Sequence, residues 1–533
     1  MNGTVRTIGA AGLKAALHDG EEIALLDARE EVPFEARHLL MAACVPLSRL
    51  EMLLDACVPR RATRIVWCDD GEGLAQRAAA RMASLGYTDV SVLAGGIAAW
   101  EADGFRIYSG VHVPSKAFAE VVEHKTGTPW ITSEELKEMI DSKADIALFD
   151  SRSYEEFHGN SIPTAISVPG AELVYRFADL VPSPETMVVV NCGGRTRSII
   201  GAQSLINAGV PNKVVSLKNG TQAWHLSGFQ VLKGSTARPP AVSMAGHAAA
   251  RAAADRVAER FGIARIDAAT LSQWQGESAT RTLYVFDVRT PEEYLAGHIP
   301  GMKNVPGGQL VQETDRHAVT WGARIVLVDD DGVRAVMTAH WMRQMGWDVA
   351  AMTVDMRMER RQIAPWEPHV LGLDGATIRT IDAAALRQCM QAGGVTVIDL
   401  DWSRDYLEGH IPGAWYGIRA RLDQIVPQLP SADTVVFTSS DGVLASLAAA
   451  DLMKTVSVPV LALEGGTAFW RKAGLPLEQG ATRMATAPDD IRLRAREQSE
   501  KVEDAMRAYL SWEIDLADQM ATDDDQRFRI LAG

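Results

Sequence analysis

The sequence predicts an α/β protein built from four tandem copies of one small domain, each a parallel sheet flanked by helices, with a further helix at the C-terminal end. Three observations carry that prediction: a phrase repeated four times, an apolar strand ending in aspartate after each repeat, and a fixed distance from that aspartate to a second strand end. Repetition on this scale marks copies of one folding unit, and short buried strands alternating with helices mark parallel sheets.

Each copy opens with an isoleucine, a capping or small residue, and a leucine one helical turn on: Ile8 to Leu13, Ile131 to Leu136, Ile266 to Leu271 and Ile381 to Leu386. These are helix starts, clearest where Thr132 and Glu135 form a capping-box pattern. A strand follows (IALLD, IALFD, LYVFD, VTVID), ending at Asp27, Asp150, Asp287 and Asp399. Next comes a Gly-His-Ile-Pro segment at 297–300 and 409–412, degenerate around His38 and at 160–163.

A second strand (RIVWC, MVVVN, RIVLV, TVVFT) leads into a polar loop and then a helix. The first loop residue lies 42 residues after the aspartate in three copies, at Asp69, Cys192 and Asp329, and 40 after it in the fourth, at Ser439. Three copies close on a glycine turn before a tryptophan: Gly95-Gly96 with Trp100, Asn219-Gly220 with Trp224, and Gly465-Gly466 with Trp470. The third copy lacks this feature around Asp355 to Arg357. The turn reads as a helix start packed on the sheet, glycine allowing close backbone approach.

At 533 residues the chain exceeds one core, since domains run about 100–200 residues. The expected division is 1–112, 126–236, 262–375 and 376–481 for the four domains. Residues 237–261 form a helical linker and 482–533 a helical extension. Its apolar stretch from Asp489 to Met520 is expected to dock on a neighbouring domain or subunit, which leaves room for a homo-oligomer.

A charge of −15 without a basic stripe argues against nucleic acid. No stretch approaches the roughly 20 apolar residues of a membrane span, and the first thirty residues lack a signal-peptide pattern. The expected location is cytoplasmic. Five scattered cysteines fit neither a disulfide framework nor a metal cluster, so no metal and no cofactor is expected.

The second copy alone has a thiol as the first loop residue, in the loop Cys192-Gly193-Gly194-Arg195-Thr196-Arg197-Ser198. Such a loop aims amide groups inward at the positive end of a helix dipole, and the thiolate is the reactive form of cysteine. Arg195 and Arg197 would add positive charge, so the thiol is expected to ionise readily. Cys44, Cys57 and Cys389 have no such cradle and read as structural. Cys68 precedes the aligned position by one residue and so points to the opposite face of its strand.

With Asp-x-Arg at a strand end, a GHIP-like segment, Val-Val-Val-x-Cys with Arg197 and Ser198 after it, and a glycine turn before Trp, the chain resembles the rhodanese family up to about residue 481. The resemblance implies a sulfurtransferase that moves sulfane sulfur from thiosulfate, or a similar small donor, to cyanide or a thiol. Cys192 would carry the sulfur as a persulfide. Gly193, Gly194, Arg195, Thr196 and Arg197 would form the active-site loop, with Ser198 opening the helix. Asp150 and Arg152 would hold the family's Asp-x-Arg position, either bracing the loop or touching substrate.

Related phosphatases and arsenate reductases use a longer Cys-x5-Arg loop. Here Ser198 stands six after Cys192 and Arg197 five, so the short loop favours sulfur over phosphate. The first, third and fourth copies, with Asp69, Asp329 and Ser439 at the nucleophile position, are expected to be silent. Asp69 and Asp329 would act as built-in anions in their own loops. The alternative role is a persulfide relay or scaffold, with silent domains as binding modules and sulfur received from a partner enzyme. Two departures from the family, Asn160-Ser161-Ile162-Pro163 and Asn219-Gly220, lie outside the nucleophile loop.

Overall fold

The structure, a computed structural model, describes residues 5–357, 361–375, 377–493 and 501–531. Four sheets, each flanked by helices, follow one another along the chain. In the second domain the strand order is Trp130–Ile131, Val214–Leu217, Met187–Asn191, Ile146–Asp150, Ile166–Ser167, all parallel. The third and fourth repeat that order around central strands Arg324–Asp329 and Thr434–Thr438. Because the strands are buried on both faces, the aspartates that end them reach the carboxyl edge of each sheet, next to the loop of interest.

The repeated phrases cap the helices as their side chains require. Thr132 and Glu135 close a capping box, Asp267 accepts from the Thr270 amide at 2.8 Å, and Asp382 from the Ala385 amide at 2.8 Å. His298 and His410 stack on Tyr294 and Tyr406 at 3.6 and 3.7 Å between ring centres. Each GHIP-like segment also forms an antiparallel bridge to the end of its own domain: His38 to Tyr108, Ser161 to Leu232, His298 to Gln362 and His410 to Glu478. The histidine is thus a packing element, and serine serves at 161.

The domains do not stand apart. Thr320–Trp321, from the third domain, pairs antiparallel with Ile23–Asp27 of the first, so the first sheet is not purely parallel. A two-residue strand has no readable periodicity, and its partner lies far back in the chain. The linker contains the helix Met244–Phe261, whose Ala and Val face packs on helices Glu172–Leu180 and Arg334–Gln344. Phe118, Trp341 and Phe528 meet edge to face in the core shared by three domains. Buried ion pairs tie Arg334 to Glu172 at 2.9 Å and Arg419 to Glu51 at 2.6 Å.

The C-terminal helix is Val502–Ala521, shorter than the predicted stretch. Residues 494–500 lie outside the described residues. Asp489 and Asp490 are not helical, because Asp489 pairs with Arg421 at 2.7 Å and Asp490 accepts from the Ser403 amide at 2.7 Å. The helix docks on Val113–Thr126 and carries residues 506–520 against the first and second domains. Among the described residues, no helix is long and apolar enough to cross a membrane.

His340 lies wholly inside the shared core, its Nδ1–H donating to the Met337 carbonyl at 2.6 Å and its ring packed on Trp341 and Phe261. Burial pushes its pKa down to about 3. Protons therefore bind this site only in the unfolded chain once pH falls below about 6.5, and stability drops as pH falls from there toward 3. Between pH 7 and pH 5 the expected loss from this residue is about 2 kcal/mol. Urea denaturation of the parent and of His340→Gln at both pH values checks this: the variant should lose less by that amount, and equal losses would refute it.

Candidate active site

In the second domain the strand Met187–Asn191 ends in a turn at residues 192–195 and the helix Thr196–Asn207 begins. Cys192 is 2% exposed. Its Sγ lies 3.6 Å from the Ser198 hydroxyl, which in turn donates to the Arg195 carbonyl at 2.7 Å. A second helix, Gly220–Leu226, clamps the turn from the side: the Thr221 amide donates to the Cys192 carbonyl at 2.8 Å and the Gln222 amide to the Gly193 carbonyl at 3.1 Å.

This clamp explains the glycine turn. Gly220 has φ +55°, and a Cβ there would run into the Cys192 carbonyl and lie 2.7 Å from that of Gly194. The first and fourth domains repeat the contact, Ile97 N–H to the Asp69 carbonyl at 3.0 Å and Thr467 N–H to the Ser439 carbonyl at 2.9 Å. In the third, which lacks the turn, Val354 N–H donates to the Asp329 carbonyl at 2.9 Å instead.

The aligned loop residues share one partner, the amide six residues on at the start of the helix. Asp69 accepts from Ala75 N–H at 3.0 Å, Asp329 from Ala335 N–H at 3.0 Å and the Ser439 hydroxyl from Ala445 N–H at 3.3 Å. In the second domain the amide of Ser198 favours the Cys192 thiolate in the same way. Asp69 and Asp329 also accept from Gly71 and Gly332 N–H at 3.2 and 3.1 Å. Both side chains thus take the place that the thiol takes in the second domain.

Burial is the largest influence on Cys192 and holds its pKa above the ordinary thiol value. Arg197 and the Ser198 hydroxyl pull it down, and Glu513 pushes it further up. The readily ionised thiol expected from the sequence is therefore corrected, because the cations of the loop are already committed. Arg197 forks onto Glu156 at 2.6 and 3.0 Å and also donates to Gln309 of the third domain at 2.9 Å. Arg195 forks onto Glu120 at 2.7 Å, with Glu123 alongside.

Arg152 is locked on Asp150 at 2.9 and 2.6 Å and on the Asn160 side chain and carbonyl. Both residues are almost fully buried beneath the loop, and Arg152 Cδ would lie 3.8 Å from a Cβ on Gly193. That geometry favours bracing. The two family departures prove closer to the loop than expected: Asn219 Oδ1 accepts from Arg195 at 3.2 Å, and Asn160 holds Arg152. Thr196 reaches a residue that sequence reasoning missed, Glu513 of the C-terminal helix, at 3.3 Å.

The other cysteines are placed differently. Cys68 is fully buried, and burial with Asp27 raises its pKa strongly; Cys57 is buried, Cys44 partly so and Cys389 exposed. One cluster has metal-ligating residue types, His18, Asp524 and Asp525, but Lys14 already pairs with both carboxylates.

The family model of the Rhodanese-like domain matches residues 10–103, 132–227, 267–355 and 382–473. A thiosulfate sulfurtransferase from Pseudomonas aeruginosa, known from its crystal structure, is 45% identical and superposes with a TM-score of 0.96 over 99% of this chain and 100% of that one. An HTH-type transcriptional regulator of Mycobacterium tuberculosis is 31% identical over 108 residues, 20% of this chain and 48% of that protein. The chain thus spans about half the length of that curated relative.

The sequence predicts built-in anions at Asp69 and Asp329, but burial and the neighbouring Asp331 push the Asp329 carboxyl up to about 7, so it is only partly charged at neutral pH; its hold on the loop generates a stability test. Asp329→Ala removes two acceptors from the start of a buried helix and should cost about 1–2 kcal/mol. Thermal denaturation reads this as a lowered midpoint, and an unchanged midpoint would show that the carboxylate does not hold the loop.

Proposed function

The chain belongs to the rhodanese-like family and is a sulfurtransferase, and from that premise we propose that it moves sulfane sulfur from thiosulfate, or a similar donor, to a thiol or cyanide through a persulfide on Cys192. One observation carries the choice of residue. Of the four aligned strand-end positions, only this one offers a thiol, and it faces the helix-start amide on which Asp69, Asp329 and Ser439 rest in the other copies.

The chemistry follows from that seat. As the Cys192 sulfur attacks the outer sulfur of thiosulfate, a new S–S bond forms, the bond to the sulfite sulfur breaks, and the thiol proton leaves with sulfite or to solvent. The Ser198 amide and hydroxyl and the Arg197 charge stabilise the thiolate and then the terminal sulfur of the persulfide. Attack by the acceptor on that terminal sulfur returns Cys192 to its starting form. Gly193, Gly194 and Thr196 supply the turn, and Asp150 with Arg152 braces it.

The short loop, with Ser198 in place of an arginine six residues after Cys192, supports sulfur transfer over phosphate chemistry. The three other domains, without a thiol at this position, serve as structure and as surfaces for partners. Five free thiols suit a reducing, cytoplasmic setting.

Thiosulfate treatment should add one sulfur atom to the peptide containing Cys192, read by mass spectrometry, and Cys192→Ser should abolish both this gain and transfer to cyanide while keeping the fold. Sulfur found elsewhere, or activity kept by the variant, would refute the assignment. Because burial holds the thiol up, the loading rate should keep rising with pH beyond about 8.5. A stopped-flow profile already flat at neutral pH would contradict this.

A further inference from the structure

The helix Val502–Ala521 buries Met506, Leu510, Leu516 and Met520 as an apolar stripe. Glu513 lies in the same stripe and is 1% exposed. Its Oε1 accepts from the Tyr509 hydroxyl at 2.8 Å and from Thr196 Oγ1 at 3.3 Å. Its Oε2 has no hydrogen-bond partner among the described residues. A Cβ on Gly194 would lie 2.7 Å from Oε2, so this oxygen is pressed against the bare backbone of the catalytic loop, two residues past Cys192. Lys116, a buried cation on the underlying helix, stands over the Tyr509 and Trp512 rings at 5.0 and 4.7 Å, and Glu513 is its strongest charge attraction.

For docking alone, a leucine in this stripe would serve better. A buried carboxylate oxygen without a donor is costly; Glu30, Asp399, Asp489 and Asp490 each hold one as well, and that of Glu513 is set apart by lying against the loop of Cys192. The reaction has one step in which a hydrogen donor arrives at this spot. Thiosulfate, and sulfite in the unprotonated form that attacks sulfur, have no proton to give, and a carboxylate repels them; a neutral thiol acceptor carries an S–H that must be removed.

Resting on the Cys192 persulfide proposed above, we infer that Glu513 is the catalytic base of sulfur discharge, taking the proton of a neutral thiol acceptor through Oε2. The acceptor sulfur bonds to the outer sulfur of the persulfide, the S–S bond to Cys192 breaks, and its electron pair passes to Cys192 Sγ. The proton moves from the acceptor to Glu513 and then to Cys192. R–SH and Cys–S–S⁻ thus become R–S–S⁻ and Cys–SH, with no oxidant or reductant required. The upward push on the Cys192 thiol suits it to hold that proton at the end. The acceptor class selected is a neutral thiol in preference to an anion.

The test first loads the unmodified chain with thiosulfate and confirms the persulfide by mass spectrometry; if no sulfur is taken up, the persulfide reading fails and this inference falls with it. Loaded protein, freed of donor, is then discharged in single turnovers by 2-mercaptoethanol or by sulfite. Glu513→Gln should slow discharge to the thiol roughly 10²-fold, with discharge to sulfite retained or quickened. In Glu513→Ala, added formate should restore part of the thiol rate, a readout that a purely structural role would not produce. Thiol and sulfite rates falling together, or a thiol rate unchanged in Glu513→Gln, would overturn the inference.

Discussion

Each domain has to stabilise an electron-rich atom at the carboxyl edge of a parallel sheet, out of reach of bulk water, with little more than backbone amides. The amide six residues beyond the strand end does this in every copy. Aspartate, serine and cysteine are three answers to one geometric demand, and only the last of them is a soft nucleophile. In the first and third domains a carboxyl occupies the place that the thiol takes in the second and bonds to the corresponding helix-start amide.

The second copy differs from its siblings in what surrounds the loop. Glu120, Glu123 and Glu156 neutralise its two arginines, and Gln309 arrives from the neighbouring domain. A site so balanced does not hold anions by net charge. It depends on directed donors and on exclusion of water, where each hydrogen bond counts for more than it would at the surface. The fusion of four domains supplies that exclusion: two other elements of the chain cover what a single domain would leave open.

Much of this was legible in the sequence because it is local. The spacing of 42 residues in three copies and 40 in the fourth locates the strand ends, and the run from Cys192 to Ser198 defines the loop. What escaped is non-local. Glu120, Gln309 and Glu513 reach the site from 75, 112 and 317 residues away from their partners in the loop. The pairing of Thr320–Trp321 with the first sheet left no pattern at all. One signal was nonetheless readable: Glu513 interrupts an apolar stripe with Met506, Leu510 and Leu516 around it, a position where a charge has to be explained. The expectation of a low thiol pKa failed for a related reason: burial, the largest influence on Cys192, and the charge of Glu513 come from the folded surroundings and lie outside the motif.

The placement of the covering helix bears on how the protein is made. A ribosome emits Thr196 well over three hundred residues before Glu513. During that interval the strands of the second sheet and the loop of Cys192 are made, while the helix that carries Glu513 is still unsynthesised. The nascent chain therefore passes through a period in which Gly194 and Thr196 lack their contact with Glu513, and that cover is added only when the helix Val502–Ala521 follows.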